Sequence, residues 1–82
     1  MKEQDLIDLG FERNDVSEED FGKAFYYYDL DLVPGFGLIS NASDEVVDGK
    51  WYVEFFEADR IVFVDREQLE EFINIVKRNI KS

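Results

Sequence analysis

The chain has 82 residues, of which 20 are acidic and 9 are basic, and its formal net charge is −11. It contains no cysteine and no histidine, which excludes disulfides, thiolate zinc sites, cysteine nucleophiles and most histidine-dependent hydrolases. This length predicts one domain, 1–82, and this charge disfavours direct binding to nucleic acid or to an anionic membrane.

The first predicted element is a short helix over residues 3–9, with a narrow apolar stripe around Leu6. Gly10 is a natural residue to follow this helix because glycine adopts a positive φ easily, and Phe11 can pack back on the last turn. Residues 12–23 contain five acids and two bases and are predicted to form a connection. Ser17 in this connection can cap one turn of helix.

Four strands are predicted next, because aromatic, β-branched and alternating apolar residues favour a pleated sheet. They span residues 24–32, 36–40, 51–57 and 61–64. Turn-forming sequences separate them: Val33-Pro34-Gly35, a polar segment ending in Asp48-Gly49, and Ala58-Asp59-Arg60. Such links between successive strands predict an antiparallel meander.

The clearest helical pattern spans about residues 66–80. Asp65 and Gln68 are placed to form a capping box at its start. Apolar side chains recur at spacings of three and four residues along this helix: Leu69, Phe72, Ile73, Val76 and Ile80. The sequence therefore predicts an α+β domain, a four-stranded antiparallel meander sheet with a short N-terminal helix and a long amphipathic C-terminal helix, in the order α-β-β-β-β-α.

The strand over residues 24–32 carries aromatic side chains on both faces, and the long helix can cover only one of them. An exposed aromatic face is typical of an interaction surface. We expect the N-terminal helix to cover most of the second face, and a second copy of the chain or a foreign partner is the alternative. The candidate binding residues on this face are Phe25, Tyr27, Tyr52 and Phe56.

The acids form a second candidate surface, since residues 1–59 contain 16 acids and only 4 bases. Acids spaced along one surface can imitate nucleic-acid phosphates and occupy a basic protein. The alternative is a set of solvated turns that serves solubility alone. The candidate residues are Glu12, Asp15, Glu18, Glu19, Asp20, Asp44, Glu45 and Asp48.

Few residues are suited to chemistry. Asp29 and Asp31 do not fit the spacing of a calcium loop, so no metal and no cofactor are expected. Glu54 and Glu57 lie among aromatic residues, where a carboxyl group can acquire a raised pKa and act as an acid or base. An exposed position paired with a lysine or with Arg60 is the alternative for these two residues.

Five segments carry a resemblance to other sequences: Leu9-Gly10-Phe11-Glu12-Arg13, Phe25-Tyr26-Tyr27-Tyr28, Leu38-Ile39-Ser40-Asn41, Trp51-Tyr52-Val53-Glu54 and Leu69-Glu70-Glu71-Phe72. Over nearly the whole chain, they resemble small hypothetical proteins encoded by bacteriophages and mobile elements of Bacteroidetes. The resemblance implies an origin and a one-domain layout, and it carries no catalytic or binding residues across.

The leading functional hypothesis is a non-enzymatic protein-interaction module, either a homodimer or the partner of another protein. The second hypothesis is an acidic inhibitor that mimics nucleic acid, and the third is an enzyme that uses Glu54 or Glu57 with a tyrosine. Because the chain has no apolar run of signal-peptide or membrane-span length, we expect a cytoplasmic protein.

Overall fold

A computed structural model describes residues 1–34, 36–55 and 61–80, without the side chains of Asp20 and Phe21. Gly35, the predicted connection over 58–60, and the candidates Phe56 and Glu57 lie outside the described residues. Within the described ranges the elements are α1 (Glu3–Asp8), β1 (Glu12–Val16), α2 (Glu18–Phe21), β2 (Phe25–Val33), β3 (Phe36–Ser40), a 3₁₀ turn (Ser43–Glu45), β4 (Val53–Phe55), β5 (Val62–Phe63) and α3 (Arg66–Asn79).

The strands form one antiparallel sheet in the order β1-β2-β3-β4-β5, so each strand pairs with the next along the chain. This order confirms the predicted α+β class and the meander. The structure has a fifth strand, β1, so the prediction of a connection over residues 12–23 is wrong for its first part. As an edge strand with polar side chains on both faces, β1 lacks the alternation that marks a half-buried strand.

The strand predicted over residues 51–57 begins only at Val53, because the residues before it have other partners. The backbone N–H of Trp51 donates to the carbonyl of Met1, and the Met1 amino group donates to the carbonyls of Trp51 and Val64. The Tyr52 N–H donates to the side-chain oxygen of Asn41 at 3.0 Å. The sheet is therefore extended at this end by an N-terminal residue and a side-chain amide.

Helix α1 ends as the sequence predicts. Gly10 has a φ of 93°, and its N–H donates to the carbonyl of Ile7. The N–H of Phe11 donates to the carbonyl of Leu6 at 3.0 Å, which completes the paired hydrogen bonds of a glycine-based helix end. Phe11 is buried, so it packs back on the helix as expected.

Helix α3 confirms the predicted C-terminal helix. The side chain of Asp65 accepts a hydrogen bond from the N–H of Glu67 at 2.8 Å, one residue earlier than the predicted contact with Gln68. Leu69 and Ile73 are buried. Ile80 follows the end of the helix and is 40% exposed, so its predicted place on the covering face is wrong.

Both α1 and α3 pack on the same face of the sheet, which we call the inner face. The expectation that the N-terminal helix covers the second face is therefore wrong. One core cluster unites the two helices with the inward side chains of the sheet. Arg66 at the start of α3 also pairs with Asp5 of α1 at 3.0 Å. The core consists of Leu6, Phe11, Tyr28, Leu38, Trp51, Val53, Leu69 and Ile73.

Substituting Leu6 by alanine should test the docking of α1. Leu6 is 0% exposed whereas its neighbour Ile7 is 47% exposed. We expect Leu6→Ala to lower the free energy of unfolding by about 2–5 kcal/mol, because it removes core contacts and leaves a cavity. Ile7→Ala should change it by about 0.5 kcal/mol or less. Urea unfolding followed by the fluorescence of Trp51, the single tryptophan, measures both. Equal effects would contradict the described position of α1.

Candidate binding surface on the outer face of the sheet

The outer face is the sheet face opposite α1 and α3. Its members follow from the alternation of side chains along each strand and from the register of the pairs. Asn14 lies opposite Tyr27, Ile39 lies opposite both Asp29 and Glu54, and Glu54 also lies opposite Val62. The strand positions on this face are Glu12, Asn14, Val16, Phe25, Tyr27, Asp29, Asp31, Gly37, Ile39, Glu54 and Val62.

Apolar and aromatic side chains cross this face from strand to strand. Phe25 lies opposite Val16, and Ile39 is a diagonal neighbour of Tyr27 across the β2–β3 pair. Phe25, Tyr27 and Ile39 are half-buried, and Val62 at the far edge is 45% exposed. The outer face is therefore apolar along its middle and partly open to solvent.

Tyr52 extends this apolar row beyond the strand positions. It lies between Trp51 and Val53, which are both buried in the core, so its side chain is directed to the opposite side. Burial raises the pKa of the Tyr52 phenol, and the charges of Glu45 and Glu54 raise it further. Of the predicted binding residues, the structure thus places Phe25, Tyr27 and Tyr52 on one face.

At the strand positions that the structure describes, the charged side chains of the outer face all have the same sign. Glu12 lies directly opposite Asp29, and Asp31 and Glu54 occupy positions on the same face. Among the described strand positions of this face there is no lysine and no arginine. Asn14 donates a hydrogen bond from Nδ2 to Asp29 Oδ1 at 2.5 Å. Like charges opposite each other destabilise a strand pair, so the free sheet carries an electrostatic cost here.

A recess of about 150 Å³ opens at the acidic margin of this face. In the part of the chain that the structure describes, no three His, Cys, Asp or Glu side chains are arranged to hold a metal ion. The recess lies beside three outer-face carboxylates, of which Asp29 accepts the hydrogen bond from Asn14. It is lined by Gly10, Glu12, Asp29, Leu30 and Asp31.

The acids predicted to form one surface divide into separate groups. Glu12 lies on the outer face, whereas Asp15 lies on the inner-face side and pairs with Arg13 at 2.9 Å. Lys23 pairs with Asp44 at 2.5 Å, and the Tyr26 N–H donates to Ser43 Oγ at 3.0 Å. These contacts bring the 3₁₀ turn close to the start of β2.

The second group of acids thus gathers near the end of the sheet where β2 begins. It includes Glu18 and Glu19 of α2, together with Asp44 and Glu45 of the 3₁₀ turn. Asp48 lies in the following turn with a φ of 55°. The side chain of Asp20 is outside the described part of the structure. The acids therefore do not line a single surface.

A hydrogen-bonded cluster on the inner face was not predicted from the sequence. Glu3 accepts hydrogen bonds from the hydroxyls of Tyr26 at 3.1 Å and Tyr28 at 2.6 Å. Both tyrosine rings contact the ring of Trp51, and the guanidinium of Arg13 lies 3.7 Å from the centre of the Tyr26 ring. The cluster links α1 to β2. The sequence indicates this cluster only through the general rule that a buried tyrosine hydroxyl forms a hydrogen bond, which does not identify Glu3 as the acceptor.

The predicted acid–base residue Glu54 lies on the outer face, half-buried and outside the recess. Its direct cross-strand neighbours are Ile39 and Val62, which offer no proton donor or acceptor. The tyrosine nearest to it along the chain is Tyr52, whose pKa the charge of Glu54 helps to raise.

Comparison with known proteins adds no functional assignment. No protein family, no curated protein and no solved structure matches the chain. None of the described helices has the length and apolar character needed to cross a membrane. The outer face is therefore identified as a candidate site by its geometry and charge.

Tyr28 should make stability depend on pH at the alkaline end. Burial, together with the hydrogen bond to Glu3, raises the pKa of its phenol from 10.0 to about 12. Because the folded pKa exceeds the unfolded pKa, the stabilisation is complete below pH 10 and is lost as pH rises from 10 to about 12. Urea unfolding measured across this range, together with ultraviolet titration of the phenols, checks this.

Tyr28→Phe should lower stability at neutral pH by about 1–3 kcal/mol, because it removes a hydrogen bond to a carboxylate. It should also flatten the stability curve between pH 10 and 12. Tyr27→Phe, on the outer face, is the control and should leave the alkaline loss in place. If Tyr28→Phe lost as much stability as the wild type between pH 10 and 12, groups other than Tyr28 would be the cause of that loss.

Proposed function

We propose that the chain is a non-enzymatic protein-interaction module and that the outer face of its sheet is the binding surface. The main support is the one-sided packing of the domain. Leu6 of α1 and Leu69 of α3 belong to the same core on the inner face, so neither helix covers Tyr27 or Ile39.

The outer face has the composition of a binding surface and differs from that of a sheet face that only contacts solvent. A sheet that packs helices on one face usually presents polar residues to solvent on the other. Here Phe25, Tyr27, Tyr52 and Ile39 form an apolar centre, with carboxylates around it. Aromatic residues are enriched in protein interfaces, and contiguous apolar patches often mark them.

The other two hypotheses have less support. A nucleic-acid mimic needs carboxylates spaced along one surface, but the predicted acids lie in separate groups and two are paired with Arg13 and Lys23. An enzyme built on Glu54 needs a second polar group beside it. Tyr52 is near enough for the Glu54 charge to raise its pKa, but the direct neighbours of Glu54 in the ladder are aliphatic.

The proposal is tested by comparing captures from a cell lysate with three immobilised proteins. These are the wild type, Tyr27→Glu with Ile39→Glu, and Val47→Glu with Ile75→Glu. The control pair adds the same charge at apolar positions that are 69% and 43% exposed and lie outside the outer-face strands, in the turn before Lys50 and on α3. Thermal unfolding must first show that all three are folded.

We expect proteins bound by the wild type to be retained by the control and lost by the outer-face variant, because two buried carboxylates would oppose any interface there. Sedimentation velocity over a concentration series tests self-association in parallel. If the outer-face variant retained every protein that the wild type captures, the outer face would not be the binding surface.

A further inference from the structure

We infer that the outer face binds a basic segment of another protein, in which lysine or arginine side chains lie beside aliphatic or aromatic ones. The inference rests on the proposed function, because it names the partner of the same surface. It is carried by the charge and spacing of the side chains on that face.

The first argument is charge complementarity. Glu12 and Asp29 are held opposite each other, and Asp31 follows Asp29 by two residues, about 6.6 Å along the strand. In the free chain these carboxylates repel one another. A cationic group bound between them would remove this repulsion, so the complex gains an interaction that the free sheet lacks.

The second argument is the mixture of side-chain types within short distances. Ile39 lies directly opposite Asp29 on one strand and Glu54 on the other, with Tyr27 as a diagonal neighbour. A purely apolar partner would bury these carboxylates without compensation, which is unfavourable. A partner that alternates basic and apolar side chains satisfies both kinds of group.

The recess beside Glu12, Asp29 and Asp31 gives this margin a concave shape, with a volume of about 150 Å³. A long side chain that crosses the sheet can extend into it. Arginine suits such a position because its planar guanidinium donates to two carboxylate oxygens at once, whereas lysine supplies a single charged group.

The same charges disfavour a second copy of the chain as the occupant. A face-to-face dimer would bring four outer-face carboxylates from each copy together, with no base among the described strand positions to offset them. Three of the chain's nine bases are engaged elsewhere: Arg13 pairs with Asp15, Lys23 with Asp44, and Arg66 with Asp5. Like charges placed across an interface suppress association.

The test uses three peptides of about ten residues, long enough to cross the sheet. They share alternating leucines and carry arginine, serine or glutamate at the other positions. Each is titrated into the ¹⁵N-labelled full chain, and chemical shifts locate the binding site. We expect the arginine peptide to shift the amides of Tyr27, Ile39 and Glu54, with an affinity that falls as salt rises. The serine peptide should bind at least about tenfold more weakly, and the glutamate peptide should not bind.

Two variants that each lose three negative charges distinguish the effect of the outer-face carboxylates from the effect of the net charge of the chain. Glu12→Gln with Asp31→Asn and Glu54→Gln removes three of the four outer-face carboxylates and keeps Asp29, which accepts the hydrogen bond from Asn14. Glu18→Gln with Glu19→Gln and Asp48→Asn neutralises three acids elsewhere. We expect the first variant to weaken binding of the arginine peptide by about tenfold or more and the second by less than about threefold. Equal weakening would overturn the inference, because binding would then follow total charge.

The remaining outcomes distinguish the inference from the proposed function. If the serine peptide bound the outer face as tightly as the arginine peptide, the basic partner would be excluded while the binding surface would stand. Self-association of the wild type that Tyr27→Glu abolishes would replace the basic partner with a second copy. If no peptide bound the outer face and the lysate captures were unchanged in the outer-face variant, both would fail.

Discussion

The contact between the two ends of the chain determines the rest of the architecture. Leu6 and Leu69 are both 0% exposed in one core, and Arg66 pairs with Asp5 at 3.0 Å. The Lys2 N–H donates to the Asp5 carboxylate at 2.8 Å, and this hydrogen bond, followed by the pairing with Arg66, lowers the pKa of Asp5. Because α1 is held against the start of α3, both helices occupy the inner face.

This arrangement follows from the small size of the chain. A domain of this length buries only ~60–65% of the surface that it exposes when unfolded, so its apolar side chains suffice for one core. The core takes the long helix and one side of each strand. The outer face retains Tyr27 and Ile39 among carboxylates, and this combination is the basis of the proposed binding surface.

The sequence predicts the elements that are marked by local patterns. The spacing from Leu69 to Ile73 and the cap at Asp65 identify α3, and Gly10 identifies the end of α1. β1 was missed because its polar side chains obscure the strand alternation, and an edge strand of this kind resembles a loop in sequence. The side of the sheet on which α1 packs was also missed, since it depends on contacts between residues more than sixty positions apart.

The sequence predicts only part of the candidate site, because some of its features follow from local patterns and others depend on contacts between distant residues. Alternation along β2 places Phe25 and Tyr27 on one face without knowledge of the fold. The same alternation places Asp29 and Asp31 there, but the pairing of Glu12 with Asp29 required β1, so the opposed carboxylates emerged only from the strand register. The link from Glu3 to Tyr28 spans 25 positions and had no local signal.

The central claim is that the outer face is open in the free chain, and thiol reactivity at two adjacent positions tests it directly. The chain has no cysteine, so Ile39→Cys and Leu38→Cys each introduce a single thiol, on the outer face and in the core respectively. The rate of reaction with an aromatic disulfide is measured under native conditions and after unfolding. We expect Ile39→Cys to react within about tenfold of its unfolded rate and Leu38→Cys to be slowed by about 100-fold or more, because its thiol requires an opening of the structure. Equal protection at both positions would show that the outer face is covered, and would contradict the claim.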